Sequence, residues 1–280
     1  MSFEWYTHLC DYHNVTPEEA LKLGTRRTGR RPDLPGSDTC KKVSNMNYEE
    51  IWASSDRKTI EGVFDFYRDQ GAWSTFRQCV RHRDMENLHM TYFDFLSKNN
   101  FLKNDVHICE YGCGVAPFCT SLLKYSEIPD GVTINLTLVD VDCDHLDFAE
   151  YRLNRIKKDL KLEGKVNLNF IRVKPNVLPD FSNKHLDILF CFEVLEHVPS
   201  PVNVVNNIKD NMVDGGIYIE NFIKHDADDD DEEGPDLKSA RQERSSYYEI
   251  VNANYNLLIP SEAESVANPS CTRIWQRKTM

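Results

Sequence analysis

Residues 106–116, VHICEYGCGVA, constrain the fold more than any other segment of this 280-residue chain. They begin as an apolar run typical of a buried strand, reach Glu110 and enter a turn containing Gly112 and Gly114. Helical spacing of apolar residues resumes at Phe118. Glycines let the backbone approach a ligand where a Cβ would collide, and the start of the next helix offers unpaired N–H groups. This order of strand, acid, glycine turn and helix predicts a site for a nucleotide-type cofactor.

The glycine turn differs from the dinucleotide-binding fingerprint G-x-G-x-x-G. Counted from Gly112, that fingerprint requires a glycine at position 117, which is Pro117. No catalytic Tyr-x-x-x-Lys follows the turn either. The sequence therefore disfavours a Rossmann-type dinucleotide or nucleotide-sugar enzyme.

Strand and helix patterns alternate after the glycine turn. Further strands are predicted at residues 134–139, 166–173, 186–192 and 217–223, the last after the break at Gly215 and Gly216. The 186–192 segment is continuously apolar, as is typical of a strand buried on both faces. This alternation predicts an α/β fold with a parallel sheet covered by helices on both faces.

Three segments taken together resemble class I S-adenosylmethionine-dependent methyltransferases of the small-molecule type: EYGCG at 110–114, LVDVD at 138–142 and FEVLEHV at 192–198. The resemblance covers residues 106–280. It implies a doubly wound, Rossmann-like, seven-stranded sheet whose last strand is antiparallel beside the fifth. The predicted helix at 237–253 and short strands at 256–259 and 272–277 agree with such an ending. The implied cofactor is S-adenosylmethionine.

The resemblance also assigns residues to the cofactor. Gly112 and Gly114 line its methionine part, Glu110 lies on the amino group side, and Asp140, at the end of the second strand, holds the ribose hydroxyls. Family members usually carry an acid after strand three that contacts adenine, but this chain has Lys-Pro-Asn at 174–176. Either the adenine contact passes to Asn176 and groups such as the Val177 backbone, or the register differs here.

The implied reaction is an in-line displacement at the methyl group, which requires a positioned acceptor and, for a hydroxyl or ammonium acceptor, a general base. Glu193 is expected near the methyl group and the acceptor. His197 and His225 are the candidate bases, with Glu193 and Glu196 as orienting or basic groups and His82 as a weaker candidate. In the alternative interpretation, His197 has only a structural role and holds the helix after strand four in place.

A metal-dependent variant uses the same residues. Glu193, Glu196, His197 and His225 resemble the magnesium set of certain O-methyltransferases, since positions i, i+3 and i+4 share one helical face. The same letters occur in metal-free relatives, which are more numerous. The sequence therefore favours a site without metal.

Composition narrows the possible partners. The net charge of −12 argues against general nucleic-acid binding. Four arginines at 26, 27, 30 and 31 form either a solvated loop or a grip on an anionic substrate. The acidic stretch at 225–235 predicts a solvated loop, with a cation site or a lid for a positively charged acceptor as alternatives. Nine scattered cysteines without a C-x-x-C pair, no apolar run of membrane-spanning length and no secretory signal predict a cytoplasmic protein without membrane contact.

Two domains are expected: a loop and helical cap over the active site at residues 1–104, rich in aromatic residues from position 48 onward, and a methyltransferase domain at 105–280. The predicted function is methyl transfer to an oxygen, less readily a nitrogen, of a small or medium-sized polar metabolite such as a saccharide. The alternative is a non-catalytic cofactor-binding or scaffold module of the same fold.

Overall fold

The computed structural model describes residues 4–16, 52, 55–68, 74–75, 78–79, 81–82, 86–125, 128, 130–181, 185–222, 236–259 and 272–279. Within these residues one sheet has seven strands. The strands are β1 (Val106–Tyr111), β2 (Ile134–Val141), β3 (Val166–Val173), β4 (Leu186–Cys191), β5 (Met212–Glu220), β6 (Tyr255–Ile259) and β7 (Arg273–Arg277).

The strand order is β3-β2-β1-β4-β5-β7-β6. The pairs from β3 through β5 are parallel, whereas β7 pairs antiparallel with both β5 and β6. The predicted doubly wound, Rossmann-like sheet with an antiparallel last strand is confirmed. The order reverses between β1 and β4, and the carboxyl ends of the strands around such a switch point form a crevice for ligands.

Helices cover both faces of the sheet, and their apolar sides bury two layers of core residues. Successive β1 residues alternate between these layers: Ile108 packs in one and Cys109 in the other. The described helices are α1 (Glu4–His13), α2 (Ile60–Arg68), α3 (Glu86–Lys98), α4 (Pro117–Tyr125), α5 (Asp144–Asp159), α6 (Pro201–Asn211) and α7 (Lys238–Asn254).

Two elements differ from the sequence prediction. Helix α1 was not predicted from the sequence; its Leu9 and Cys10 pack in a small cluster with Phe148 of α5. Strand β5 begins at Met212 and runs through the glycine pair rather than after it. The partners of β4 jump from Met212 to Ile217, so the glycines lie in a bulge rather than a break.

Candidate active site

The loop between β1 and α4 requires glycine at two positions. Gly112 has φ +64° and Gly114 has φ +51°, in the left-handed region that favours glycine. A Cβ at Gly112 would collide with the side chain of Val194, and one at Gly114 with the amide oxygen of Gln78. The loop therefore brings bare backbone to the floor of a cavity.

Asp140 is the penultimate residue of β2, and its side chain is hydrogen-bonded to this loop. Its Oδ2 accepts a hydrogen bond from the Gly114 N–H at 2.5 Å, and its Oδ1 accepts one from the Val141 N–H at 2.7 Å. Burial raises the pKa of the carboxyl to about 6, although both N–H donors oppose the rise. A carboxylate has about four acceptor positions, so two remain for ligand hydroxyls.

Glu110 connects the end of β1 to the start of α4. Its two oxygens accept hydrogen bonds from the N–H groups of Phe118, at 3.2 Å, and Cys119, at 2.9 Å. These are N–H groups of the first helical turn, which lack helical acceptors, so the carboxylate caps the helix from a neighbouring strand. Burial raises the pKa of Glu110 to about 7, against the effect of these bonds. Glu110 lines the same cavity as the glycine loop.

Asn176 and Val177, the residues predicted to contact adenine, line the side of the cavity next to β3. Asn176 has a left-handed backbone, φ +60°, and its amide donates to the Glu61 carboxylate on α2 at 2.9 Å. Val177 is 59% exposed. This loop and the N-terminal segment therefore meet at the cavity edge.

Glu193 follows β4 in a left-handed conformation, φ +53°, which is costly for a residue with a Cβ. Its N–H donates to the Asn221 side-chain oxygen at 2.7 Å, and its carboxylate forms an ion pair with Arg81. All three residues line the cavity. A strained residue held by two partners at the expected acceptor position is typical of a functional site.

His197 lies in a 3₁₀ turn, Leu195–His197, and also lines the cavity. Its ring packs edge-on against Trp52 with a centroid distance of 5.5 Å, and its Nε2 is 3.9 Å from a Glu196 carboxylate oxygen. The other predicted base, His225, is outside the described residues, as is the acidic stretch at 225–235.

The helical spacing behind the magnesium alternative is wrong. Glu193 is left-handed and the following residues form a 3₁₀ turn, so Glu193, Glu196 and His197 do not share an α-helical face. Glu196 is 1% exposed, and burial raises its pKa well above the usual range. Within the part of the chain that the structure describes, which omits His225, no cluster of three His, Cys, Asp or Glu residues has the arrangement of a metal site.

The cavity has a volume of about 930 Å³, at the upper end of the range of about 300–1,000 Å³ for small-molecule sites. Part of its lining comes from the N-terminal segment, as the predicted cap requires, but the boundary at residue 104 stays a prediction. Sequence reasoning missed several lining residues because no motif surrounds them. They are Trp52, Phe64, Gln78, His89, His145 and Asn221.

The sheet order, the glycine loop and the acids at the ends of β1 and β2 define a nucleotide-cofactor fold of the class I methyltransferase type. A family model described as "Methyltransferase domain" matches residues 102–268, which is more than half of the chain. The chain belongs to this methyltransferase-domain family, and the cofactor of its class is S-adenosylmethionine. The predictions of family, enzyme class and cofactor are confirmed at that level.

Relatives with a named activity have low sequence identity to this chain. A ubiquinone biosynthesis O-methyltransferase of Coxiella burnetii is 27% identical over 110 residues, 39% of this chain and 40% of the relative. One of Shewanella pealeana is 27% identical over 133 residues, 48% and 49% of the two chains. The chain thus spans less than half the length of either curated relative. A solved putative class I S-adenosylmethionine-dependent methyltransferase of Listeria monocytogenes has 13% identity and a TM-score of 0.46, covering 99% of this chain and 88% of that one.

None of the helices within the described ranges combines the length and the apolar composition needed to cross a bilayer.

Proposed function

We propose that this protein transfers the methyl group of S-adenosylmethionine to an oxygen of a small or medium-sized polar acceptor. The observation that carries the proposal is the junction of the glycine loop with Asp140. The Gly114 N–H donates a hydrogen bond to the Asp140 carboxylate, and both residues line one large cavity together with Glu193. Such a crevice accommodates a nucleoside cofactor with an acceptor beside it.

The residues present fit this cofactor. Gly112 and Gly114 place backbone without side chains in the cavity lining, and Asp140 keeps acceptor capacity for two ribose hydroxyls. We assign Glu110 to the amino group side of the cofactor and Asn176 with Val177 to its adenine; all three residues line the cavity. When bound, S-adenosylmethionine supplies an electrophilic methyl group on a positively charged sulfur.

The acceptor side of the proposal rests on Glu193, His197 and His225. The Glu193 carboxylate, held by Arg81, orients the acceptor, and the surrounding aromatic side chains exclude water. His197, or His225 from the undescribed segment, takes the proton of an acceptor hydroxyl. The edge-on contact of His197 with Trp52 also suits a purely positioning role, so both functions stay open for it.

Transfer to oxygen is favoured because the named curated relatives are O-methyltransferases. A hydroxylated metabolite, with a saccharide among the possibilities, is the proposed acceptor. A cytoplasmic location is proposed on the basis of the cysteine pattern, and the seven described cysteines are not bonded to one another. A non-catalytic cofactor-binding module stays the second candidate, and multiple turnover with any acceptor would exclude it.

Isothermal calorimetry tests the cofactor proposal. We expect micromolar affinity for S-adenosylmethionine and S-adenosylhomocysteine, no binding of NAD, and loss of binding in Asp140→Ala. The matched control is Asp142→Ala, since Asp142 lies two residues on with a 64% exposed side chain paired to Arg172. A folded wild-type protein that binds neither sulfur nucleotide would refute the proposal. If binding is found, a screen of acceptors with and without magnesium follows.

A further inference from the structure

A buried histidine that no motif indicated faces the cavity from α3. His89 is 1% exposed, and its Nδ1 lies 3.1 Å from the Ser121 hydroxyl of α4, a hydrogen-bond distance. Its Nε2 is also buried, and among the residues that the structure describes it has no hydrogen-bond partner. The ring lines the cavity. Leaving a buried ring nitrogen without a partner is unfavourable, and a hydrogen bond from a ligand would remove that cost.

His82 stands beside His89. The two ring centroids are 5.8 Å apart, and both rings line the cavity. The Nδ1 of His82 is buried and likewise has no partner within the described ranges. The two neighbouring rings therefore place two buried nitrogens without described partners in one part of the cavity lining.

Both rings are uncharged at neutral pH. Burial lowers the pKa of His89 to about 4, although Glu86 on the same helix opposes this. Burial also lowers the pKa of His82 well below the usual range, and the facing groups lower it further. Those groups are His89, Arg81, Arg152 and His145. The cavity therefore offers neutral imidazole hydrogen bonds at this place rather than a positive charge.

The His89 ring lies toward the β4 side of the cavity. The His89 ring centroid is 4.3 Å from that of Phe118, whose ring stacks at 4.5 Å on Phe192, the residue directly after β4. Asp140 ends β2, and β1 lies between β2 and β4 in the sheet. A cofactor with its ribose at Asp140 thus leaves the β4 side for the methyl group and the acceptor.

We propose that His89, oriented by Ser121, and His82 form a recognition site for an uncharged hydroxyl group of the methyl acceptor. The inference rests on the proposed function and adds the acceptor-binding residues and the charge of the group they select. A hydroxyl both donates and accepts, so it matches a neutral imidazole in either tautomer, whereas the transfer of an ammonium group from water to a buried place costs more. The base remains His197 or His225, because a ring with a pKa of about 4 accepts a proton poorly.

The test uses the full chain saturated with S-adenosylhomocysteine and two probes with one skeleton, benzyl alcohol and benzylamine. Imidazole ¹⁵N resonances are recorded by NMR and assigned with His89→Phe and His82→Phe. His107 is the internal reference, because its ring is bonded to Thr137 in the sheet at 2.8 Å and is buried in the core. Ser121→Ala is the second variant, since it removes the orienting hydroxyl and leaves both histidines in place.

We expect S-adenosylhomocysteine alone to leave the His89 Nε2 resonance in place, and benzyl alcohol then to shift it while benzylamine does not. His89→Phe should weaken benzyl alcohol binding about tenfold, the loss of one buried hydrogen bond, and keep S-adenosylhomocysteine affinity within about twofold. Ser121→Ala should weaken benzyl alcohol binding by a smaller factor.

Three results would overturn the inference. One is a His89 shift on S-adenosylhomocysteine alone with loss of its affinity in His89→Phe, which would assign the ring to the cofactor. The second is equal affinity of the wild type and His89→Phe for benzyl alcohol. The third is a wild-type complex in which benzyl alcohol binds but does not shift the His89 resonance. If the folded wild type does not bind S-adenosylhomocysteine at all, the proposed function itself fails and the inference fails with it.

Discussion

Replacing Glu110 with glutamine tests whether this buried carboxyl is protonated in the fold. Its oxygens accept hydrogen bonds from two N–H groups at the start of α4, which favours the ionised form of the side chain. Burial in the sheet nevertheless raises its pKa from the ordinary 4.5 to about 7. The neighbouring Asp140 raises it a little further. Glutamine keeps the shape and one acceptor but never ionises, so it isolates the contribution of the charge.

The magnitude follows from the two pKa values. Because the folded-state pKa lies above the unfolded one, the stabilisation by the protonated group is fully present below about pH 4.5 and is lost as the pH rises to about 7. At about 1.36 kcal/mol for each unit of pKa, the loss is about 3 kcal/mol. The free energy of unfolding of wild type should therefore fall by about 3 kcal/mol relative to Glu110→Gln between pH 4.5 and pH 8.

Urea unfolding of both proteins at half-unit pH intervals measures this difference. The lost acceptor in glutamine adds an offset that does not depend on pH, so the slope is the diagnostic quantity. Glu163→Gln, a change at an exposed residue, is the control and should run parallel to wild type. If the plots of unfolding free energy against pH for wild type and Glu110→Gln also stay parallel within about 0.5 kcal/mol, the pKa of Glu110 is the same in the folded and unfolded states. That result would refute the prediction of a raised pKa in the folded protein.

Two further predictions follow from single contacts. Gly112→Ala places a Cβ on a backbone with φ +64° and against Val194, so the affinity for S-adenosylhomocysteine, measured by calorimetry, should fall at least about tenfold. The control Gly131→Ala, at φ +78° with no atom near its Cβ, should leave the affinity unchanged. Equal losses in the two variants would contradict the role of Gly112 in the cofactor site. Tyr247→Phe removes one of two buried hydroxyls 2.7 Å apart, the other on Tyr218, and should lower the free energy of unfolding by about 1–2 kcal/mol in urea; a change below about 0.5 kcal/mol would show that the pair contributes nothing.

Local patterns determined most of the sheet. The predicted strand at 166–173 matches β3, and those at 106, 134 and 186 begin where β1, β2 and β4 begin. Apolar runs that end in acids or glycines predict such strands from the sequence, because a strand buried on both faces excludes polar side chains along its whole length. The glycine loop was predicted because a backbone that must approach a ligand restricts residue type at adjacent positions in the chain. Asp140 was predicted from the resemblance of LVDVD to the corresponding segment of the family.

The rest depends on contacts between distant segments. The bulge of β5 depends on the register of β5 with β4, and the sequence of β5 alone does not predict that register. The left-handed turn at Glu193 exists because Asn221 and Arg81, from two other parts of the chain, hold it.

The sequence by itself determined the fold class, the cofactor loop and the family, because these depend on residue types at fixed short spacing. The tertiary structure alone decided which side chains line the cavity. The sequence named His82 only as a weaker candidate base. His89 carries no motif, since any helix can contain a histidine, and only the packing of α3 on α4 buries it beside Ser121 in the lining of the cavity. Burial then sets the charge of these rings, and burial is a property of the assembled fold rather than of the chain.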